Sequence, residues 1–162
     1  STGTKYFMQI EGEKMDFSYD EYEKQCEKIC AVNYQLLDLF EEDLRDLSPK
    51  TVRQHVSNVD FYINDYLLYE DALSFEAGIE KIDDFLGNFF IRKCMWSTPG
   101  NIKSTAASIK KFYKCMLDHG KIQRASYNYL YGEIKERMPK WQADCAQYND
   151  IDADNPFDYF YY

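Results

Sequence analysis

The fold of this chain is decided by the stretch Trp96-Ser97-Thr98-Pro99-Gly100-Asn101-Ile102, which leads into a lysine-bearing segment ending at His119-Gly120. A threonine can cap the free N–H groups of a first helical turn, and proline suits the first helical position because its missing N–H needs no partner there. Glycine suits the left-handed conformation that follows many helices. We therefore predict a helix from Pro99 to about His119. Its buried face has apolar residues spaced by three and four: Ile102, Ala106, Ile109, Tyr113, Met116 and Leu117.

A similar helix start signal, a serine followed by proline, occurs earlier in the chain. Ser48-Pro49 predicts a second helix over about residues 49–69, with one apolar face. Ser18 with Glu21 is a capping-box pattern, which predicts a first helix over about residues 18–45 with an acidic outer face. The apolar spacing after residue 75 predicts a third helix over about 76–94, in which Gly87 either weakens the helix slightly or lets another backbone approach closely.

A fifth helix is predicted to begin at Ser126 and to be stopped by Pro139, with a short amphipathic piece around residues 141–148. No strand pattern of period two persists anywhere in the sequence. The prediction is therefore all-α, with a lead-in at 1–17, a single helical domain over 18–148 and an acidic, aromatic tail at 149–162.

The composition is that of a globular protein. Of 162 residues 45% are hydrophobic, including 15 Tyr and 11 Phe. No apolar run is long enough for a membrane span and no signal peptide is present, so we expect a soluble, cytoplasmic protein without a membrane partner, whose five cysteines are free thiols. Cys26 and Cys30 lie four residues apart, but no second pair completes a zinc site, so we predict neither a metal nor a cofactor.

Charge is segregated along the chain. The net charge is −9, yet residues 92–124 hold eight bases and one acid. At 100° per residue, Lys103, Lys110 and Lys114 line up within about 40° of one another. This stripe could follow a phosphate backbone, could be an ordinary solvated face, or could lie against the acidic first helix.

Short motifs in the second to fourth helices carry a family resemblance: Leu47-Ser48-Pro49-Lys50-Thr51-Val52, Ile82-Asp83-Asp84-Phe85-Leu86, Ile102-Lys103-Ser104, Ile109-Lys110-Lys111-Phe112-Tyr113 and His119-Gly120. Over about residues 25–124 they resemble the N-terminal core-binding (SAM-like) domain of phage integrases and tyrosine recombinases. The resemblance implies a four-helix bundle of two crossed hairpins, here with an added C-terminal helix and tail, that forms half of a clamp around double-stranded DNA. It implies these DNA-binding candidates: Lys50, Arg53, Gln54, Lys103, Lys110, Lys111 and Lys114.

The chemistry of that family lies in a separate catalytic domain with an His-x-x-Arg motif. Neither His55 nor His119 is followed by Arg three residues later, and no catalytic residue is predicted. We interpret His119 beside Gly120 as a helix cap, and His55 lies between the apolar and exposed faces of its helix. The leading hypothesis is a non-catalytic domain that binds DNA or assists a nucleoprotein complex. The alternative is a protein-interaction module that keeps the fold without DNA binding, through a protein partner or self-association of the tail.

Overall fold

The computed structural model describes residues 11–153, and the side chains of residues 19–150. Five helices and no strand occur in this part of the chain, so the predicted all-α class is confirmed. α1 is Glu11–Asp43, and α2 is Pro49–Asp60 with a π-helical continuation, Phe61–Tyr66. α3 is the continuous run Ile82–Asp84, Phe85–Phe89 and Phe90–Lys93, of which the middle part is π-helical. α4 is Pro99–Asp118 and α5 is Arg124–Ala153.

The predicted start of the first helix and the predicted end of the fifth are wrong. α1 already includes Glu11, so Ser18 lies inside the helix and is not its N-cap. α5 continues through Pro139 to Ala153 and so includes the start of the predicted tail. A proline inside a helix costs about 3 kcal/mol through a lost hydrogen bond and steric conflict. Packing offsets this cost, because α5 is anchored on both sides of the exposed Pro139 by buried residues: Leu130, Ile134, Trp141 and Cys145.

The third helix also begins later than predicted. Phe75–Ile79 is a separate 3-10 helix, and α3 starts at Ile82. Two fully buried tyrosines hold the 3-10 helix: the Tyr62 hydroxyl donates to the Gly78 carbonyl at 2.6 Å, and the Tyr113 hydroxyl donates to the Phe75 carbonyl at 2.5 Å. A Cβ at Gly78 would overlap the Tyr113 hydroxyl, so only glycine fits this approach.

Gly87 permits a close approach of α5 to α3. A Cβ at Gly87 would lie 2.8 Å from Cδ1 of the Trp141 indole, so the neighbour that the glycine admits is a side chain and not a backbone. The indole N–H donates to Asp83 Oδ1 at 2.8 Å, which satisfies the polar end of a ring that is otherwise buried. This contact fixes α5 on the bundle.

α4 is the central helix of the core. It packs against α1, α2 and α5, and its most buried side chains include Ile102, Ile109 and Phe112. Ser48 and Thr98 cap α2 and α4 as predicted, through side-chain oxygens that accept from Thr51 N at 3.3 Å and Asn101 N at 3.0 Å. None of the helices in the described part of the chain combines the length and the apolar character needed to span a membrane.

Candidate nucleic-acid interface

The first turns of α2 present polar and basic side chains to solvent. With Ser48 as N-cap and Pro49 at the first position, Val52 points into the core. The spacing of the helix then leaves Lys50, Arg53 and Gln54 exposed. The first turn holds no acidic residue that would complement the positive end of the helix dipole. This end of α2 is therefore a cationic surface.

The outward face of α4 carries the predicted lysines. Lys103, Lys111 and Lys114 are exposed, and Lys110 is half-buried. The Lys110 ammonium lies 5.1 Å from the centre of the Tyr131 ring of α5, within cation–π range. The lysine face is thus bordered by α5 on the side of Lys110.

On its other side the lysine face borders α2. The pKa of the His55 ring is lowered mainly by burial and to a smaller extent by the positive charge of Lys111. α2 and α4 pack against each other, and this contact brings Lys111 near the α2 segment that carries Arg53 and Gln54. The structure therefore brings the predicted residues of α2 and α4 onto neighbouring surfaces.

A buried polar joint connects the two helices. Ser108 Oγ lies 2.7 Å from His55 Nδ1 and accepts from Asn58 Nδ2 at 3.0 Å. The same hydroxyl lies 3.1 Å from the Ser104 carbonyl. It has one proton, so the tautomer of His55 decides whether Ser108 donates to that carbonyl and accepts from Nδ1–H, or donates to an unprotonated Nδ1.

This joint has a positioning role and not a nucleophilic one. Ser108 is completely buried, so its hydroxyl oxygen is not open to a substrate. A serine nucleophile needs an accessible oxygen whose proton a neighbouring base can take. The cluster instead fixes the position of α2 relative to α4, and with it the relative positions of their basic side chains. What the surface can do chemically is bind anions.

The contacts of the lysine stripe test its three predicted roles: a phosphate-binding face, a solvated face or a face packed against α1. Within residues 19–150, Lys114 pairs with Asp118 of its own helix at 2.6 Å, and no candidate lysine or arginine pairs with an acid of α1. The arrangement against the acidic first helix is therefore not found. A solvated face and an anion-binding face both fit.

The sequence did not identify the polar joint. Its members are separated by about fifty positions, so no local spacing connects them. Two signals were present: His55 sits at the edge of the apolar face of α2, and Ser108 sits beside Ile109 on the buried side of α4. A small polar residue in a buried stripe indicates that a hydrogen-bond partner must come from elsewhere in the fold.

The aromatic residues of α5 divide into two groups. Trp141 is buried, so it belongs to the core. Tyr129 and Tyr131 are about half exposed, and the Tyr129 hydroxyl donates to Glu133 Oε1 at 2.9 Å. Tyr131, with Lys110 above its ring and the half-buried Tyr127 beside it, adds an aromatic border to the lysine face.

Comparison with known proteins gives no relative: no protein family, no curated protein and no solved structure matches this chain.

Proposed function

We propose that this chain is a non-catalytic helical domain that binds double-stranded DNA through the neighbouring basic surfaces of α2 and α4, alone or as an accessory to a nucleoprotein complex. In this proposal α1–α4 form a bundle of the integrase core-binding type, and α5 is an addition that braces it. The observation that carries the proposal is the exposure of all the candidate cations except Lys110 on two helices that the His55–Ser108–Asn58 joint holds together.

Charge segregation explains how an acidic protein could bind DNA. The net charge of −9 repels a polyanion at long range, so approach in the wrong orientation is disfavoured. At contact the local charge of α2 and α4 dominates, because screening limits interactions between exposed charges to about 10 Å at 0.1 M salt. The proposal therefore requires weak, strongly salt-dependent binding in a single orientation.

The roles of the candidates follow from their positions. Lys103, Lys111 and Arg53 are exposed and suited to phosphate contacts, which set affinity without reading sequence. Lys114 is partly neutralised by Asp118 and contributes less. Gln54 is the candidate whose amide can both donate to and accept from a base edge.

A salt titration of binding to generic duplex DNA tests the proposal. Each phosphate contact contributes about −0.9 to the slope of log affinity against log salt, so the double variant Lys103→Glu/Lys111→Glu is expected to bind more weakly and to flatten the slope by about 2. The matched control is Lys24→Glu/Lys28→Glu on the exposed face of α1, which changes the net charge equally. No binding at low salt, or equal losses in both double variants, would refute the proposal.

The alternative is a protein-interaction module. It is favoured by the net charge and by Met95 and Trp96, which are 99% and 59% exposed in the turn between α3 and α4. Of the tail proposed as the contact, residues 149–153 belong to α5 and residues 154–162 lie outside the described part of the chain. Removing 154–162 keeps all of α5 that the structure describes, so a partner or dimer that is lost in that truncation, from a chain that binds no duplex DNA at low salt, would support this alternative over the first.

A further inference from the structure

Three side chains of metal-ligating types meet where α1 and α4 end, one helical turn beyond Lys111 of the basic surface. Asp43 is the last residue of α1, and Cys115 and His119 lie four residues apart at the end of α4. Asp43 Oδ2 is 2.9 Å from Cys115 Sγ and 3.0 Å from His119 Nε2. All three potential ligand atoms lie within 4.8 Å of one another.

We propose that Asp43, Cys115 and His119 form a binding site for a divalent transition-metal ion, with Zn²⁺ as the best chemical match. One thiolate, one imidazole and one carboxylate is a ligand set typical of zinc, which takes sulfur, nitrogen and oxygen donors in tetrahedral sites. Three protein ligands leave the fourth position to water. The proposal is independent of DNA binding and stands or falls separately from it.

The distances are compatible with coordination after a small movement. Ordinary metal–ligand bond lengths place neighbouring ligand atoms of a tetrahedral zinc site about 3.3–3.6 Å apart. The carboxylate oxygen would therefore retreat from the other two atoms by about half an ångström, and Cys115 Sγ and His119 Nε2, which lie up to 4.8 Å apart, would approach each other by about an ångström through side-chain rotation. Asp43 and His119 have side chains 37% and 36% exposed, so both can adjust and an ion has access from solvent.

The surroundings hold the site in place. Phe40 of α1 and Phe112 of α4 pack edge to face, with ring centres 5.5 Å apart, one turn before the cluster. Beyond it, Gly120 adopts φ +72°, so that its N–H donates to the Leu117 carbonyl at 3.0 Å and Lys121 N–H donates to the Met116 carbonyl at 2.8 Å. This is a Schellman cap, and it fixes the backbone at His119.

The electrostatics favour a cation. The C-terminal ends of two helices converge here, and neither helix has a basic residue in its last turn. Each helix end carries a partial negative charge, and the bound ligand set would add −2. Asp118 contributes further negative potential near Cys115. Lys114 and Arg45 are each paired with an acid on their own segment, so the opposing charges nearest in sequence are the exposed Lys111 and Lys121.

Binding would exchange protons for the metal. Without metal, the Cys115 thiol and the His119 Nε2–H both donate to Asp43 Oδ2. On coordination the thiol loses its proton to solvent, and neutral His119 carries its proton on Nδ1 so that the Nε2 lone pair faces the ion. Coordination therefore releases the thiol proton, and no electron transfer is involved.

Cobalt is a suitable probe, because Co²⁺ occupies zinc sites and absorbs visibly. The untagged, chelator-treated chain is titrated with Co²⁺. We expect one equivalent to give a thiolate-to-cobalt charge-transfer band and the intense d–d bands of four-coordinate cobalt, and Zn²⁺ to abolish both. Cys115→Ser should lose the charge-transfer band. Loss of a residue that only supports a metal ligand weakens metal binding by about 10- to 100-fold. Asp43→Asn and His119→Gln remove ligands, so each should weaken cobalt binding by more than that.

Matched controls separate this site from the other thiols and histidine. Cys30→Ser and His55→Asn should bind cobalt like the unaltered chain. Thermal unfolding provides a second measurement, because an ion that binds the native state raises the melting temperature, and this shift should be absent from Cys115→Ser. The proposal is overturned if the unaltered chain gives no charge-transfer band, or if the band persists in Cys115→Ser and disappears in Cys30→Ser.

Discussion

Replacing Gly87 by alanine should destabilise the protein, although alanine is the better helix former. In an open helical position the exchange would gain about 1 kcal/mol. At Gly87 the added Cβ would lie 2.8 Å from Cδ1 and 2.9 Å from Nε1 of the Trp141 indole, both closer than real Cβ atoms approach. Overpacking of this kind costs about 1–3 kcal/mol. The expected net effect is a loss of about 1 kcal/mol in the free energy of unfolding.

The matched control is Gly132→Ala in α5. A Cβ at Gly132 would have no atom within 4 Å, so this exchange should raise the free energy of unfolding by up to about 1 kcal/mol. Urea unfolding followed by far-ultraviolet circular dichroism measures both variants in the same way. The expected result is a shift of the two midpoints in opposite directions.

A third variant identifies the source of the cost. Trp141→Leu destabilises the protein by itself but vacates most of the ring volume, so adding Gly87→Ala to it should cost nothing or stabilise. The contact between Gly87 and Trp141 would then appear as a coupling free energy in the double-mutant cycle. If Gly87→Ala raises the midpoint as Gly132→Ala does, the account of how α5 docks on α3 is wrong.

Three further predictions concern pH, a buried hydroxyl and the proline of α5. The pKa of His55 is lowered in the folded state, so the unfolded chain takes up a proton first and the free energy of unfolding falls as pH drops below about 7. His55→Asn keeps a hydrogen-bonding amide for Ser108 and should reduce this loss. Urea unfolding between about pH 7.5 and 5.5 measures the difference. Tyr113→Phe should cost about 1–3 kcal/mol by the same assay, because the buried Phe75 carbonyl loses its donor. Pro139→Ala should stabilise by up to about 3 kcal/mol, measured as a higher melting temperature, and a lower one would contradict the packing explanation.

Sequence reasoning worked best where the signals were local. The start of α4 follows from the side chain of Thr98 and the ring of Pro99, and its end follows from Gly120. Each of these residues lies within one or two turns of the helix end that it predicts. The exposure of Lys103 and Lys111 follows equally from helical geometry.

It failed where distant parts of the chain decide the outcome. Pro139 is a local stop signal, but burial of Trp141 and Cys145 beyond it keeps the helix going. The 3-10 helix depends on hydroxyls 16 and 38 residues away, and the His55–Ser108 contact spans 53 residues. None of these has a repeating pattern in the sequence, because each depends on how the helices meet.

The two π-helical segments are places where the chain can change its length by one residue without reorienting the helix that follows. A π-turn arises when one extra residue is accommodated in an α-helix, and it places neighbours such as Tyr62 and Ile63, or Phe85 and Leu86, together in the core. Because the extra residue is absorbed within the segment, losing one residue there would return it to an ordinary α-helix and leave the residues after it on their original faces. Such a deletion would remove one of the two neighbouring side chains that the segment places in the core, so its cost would be local packing and not a change of helix orientation.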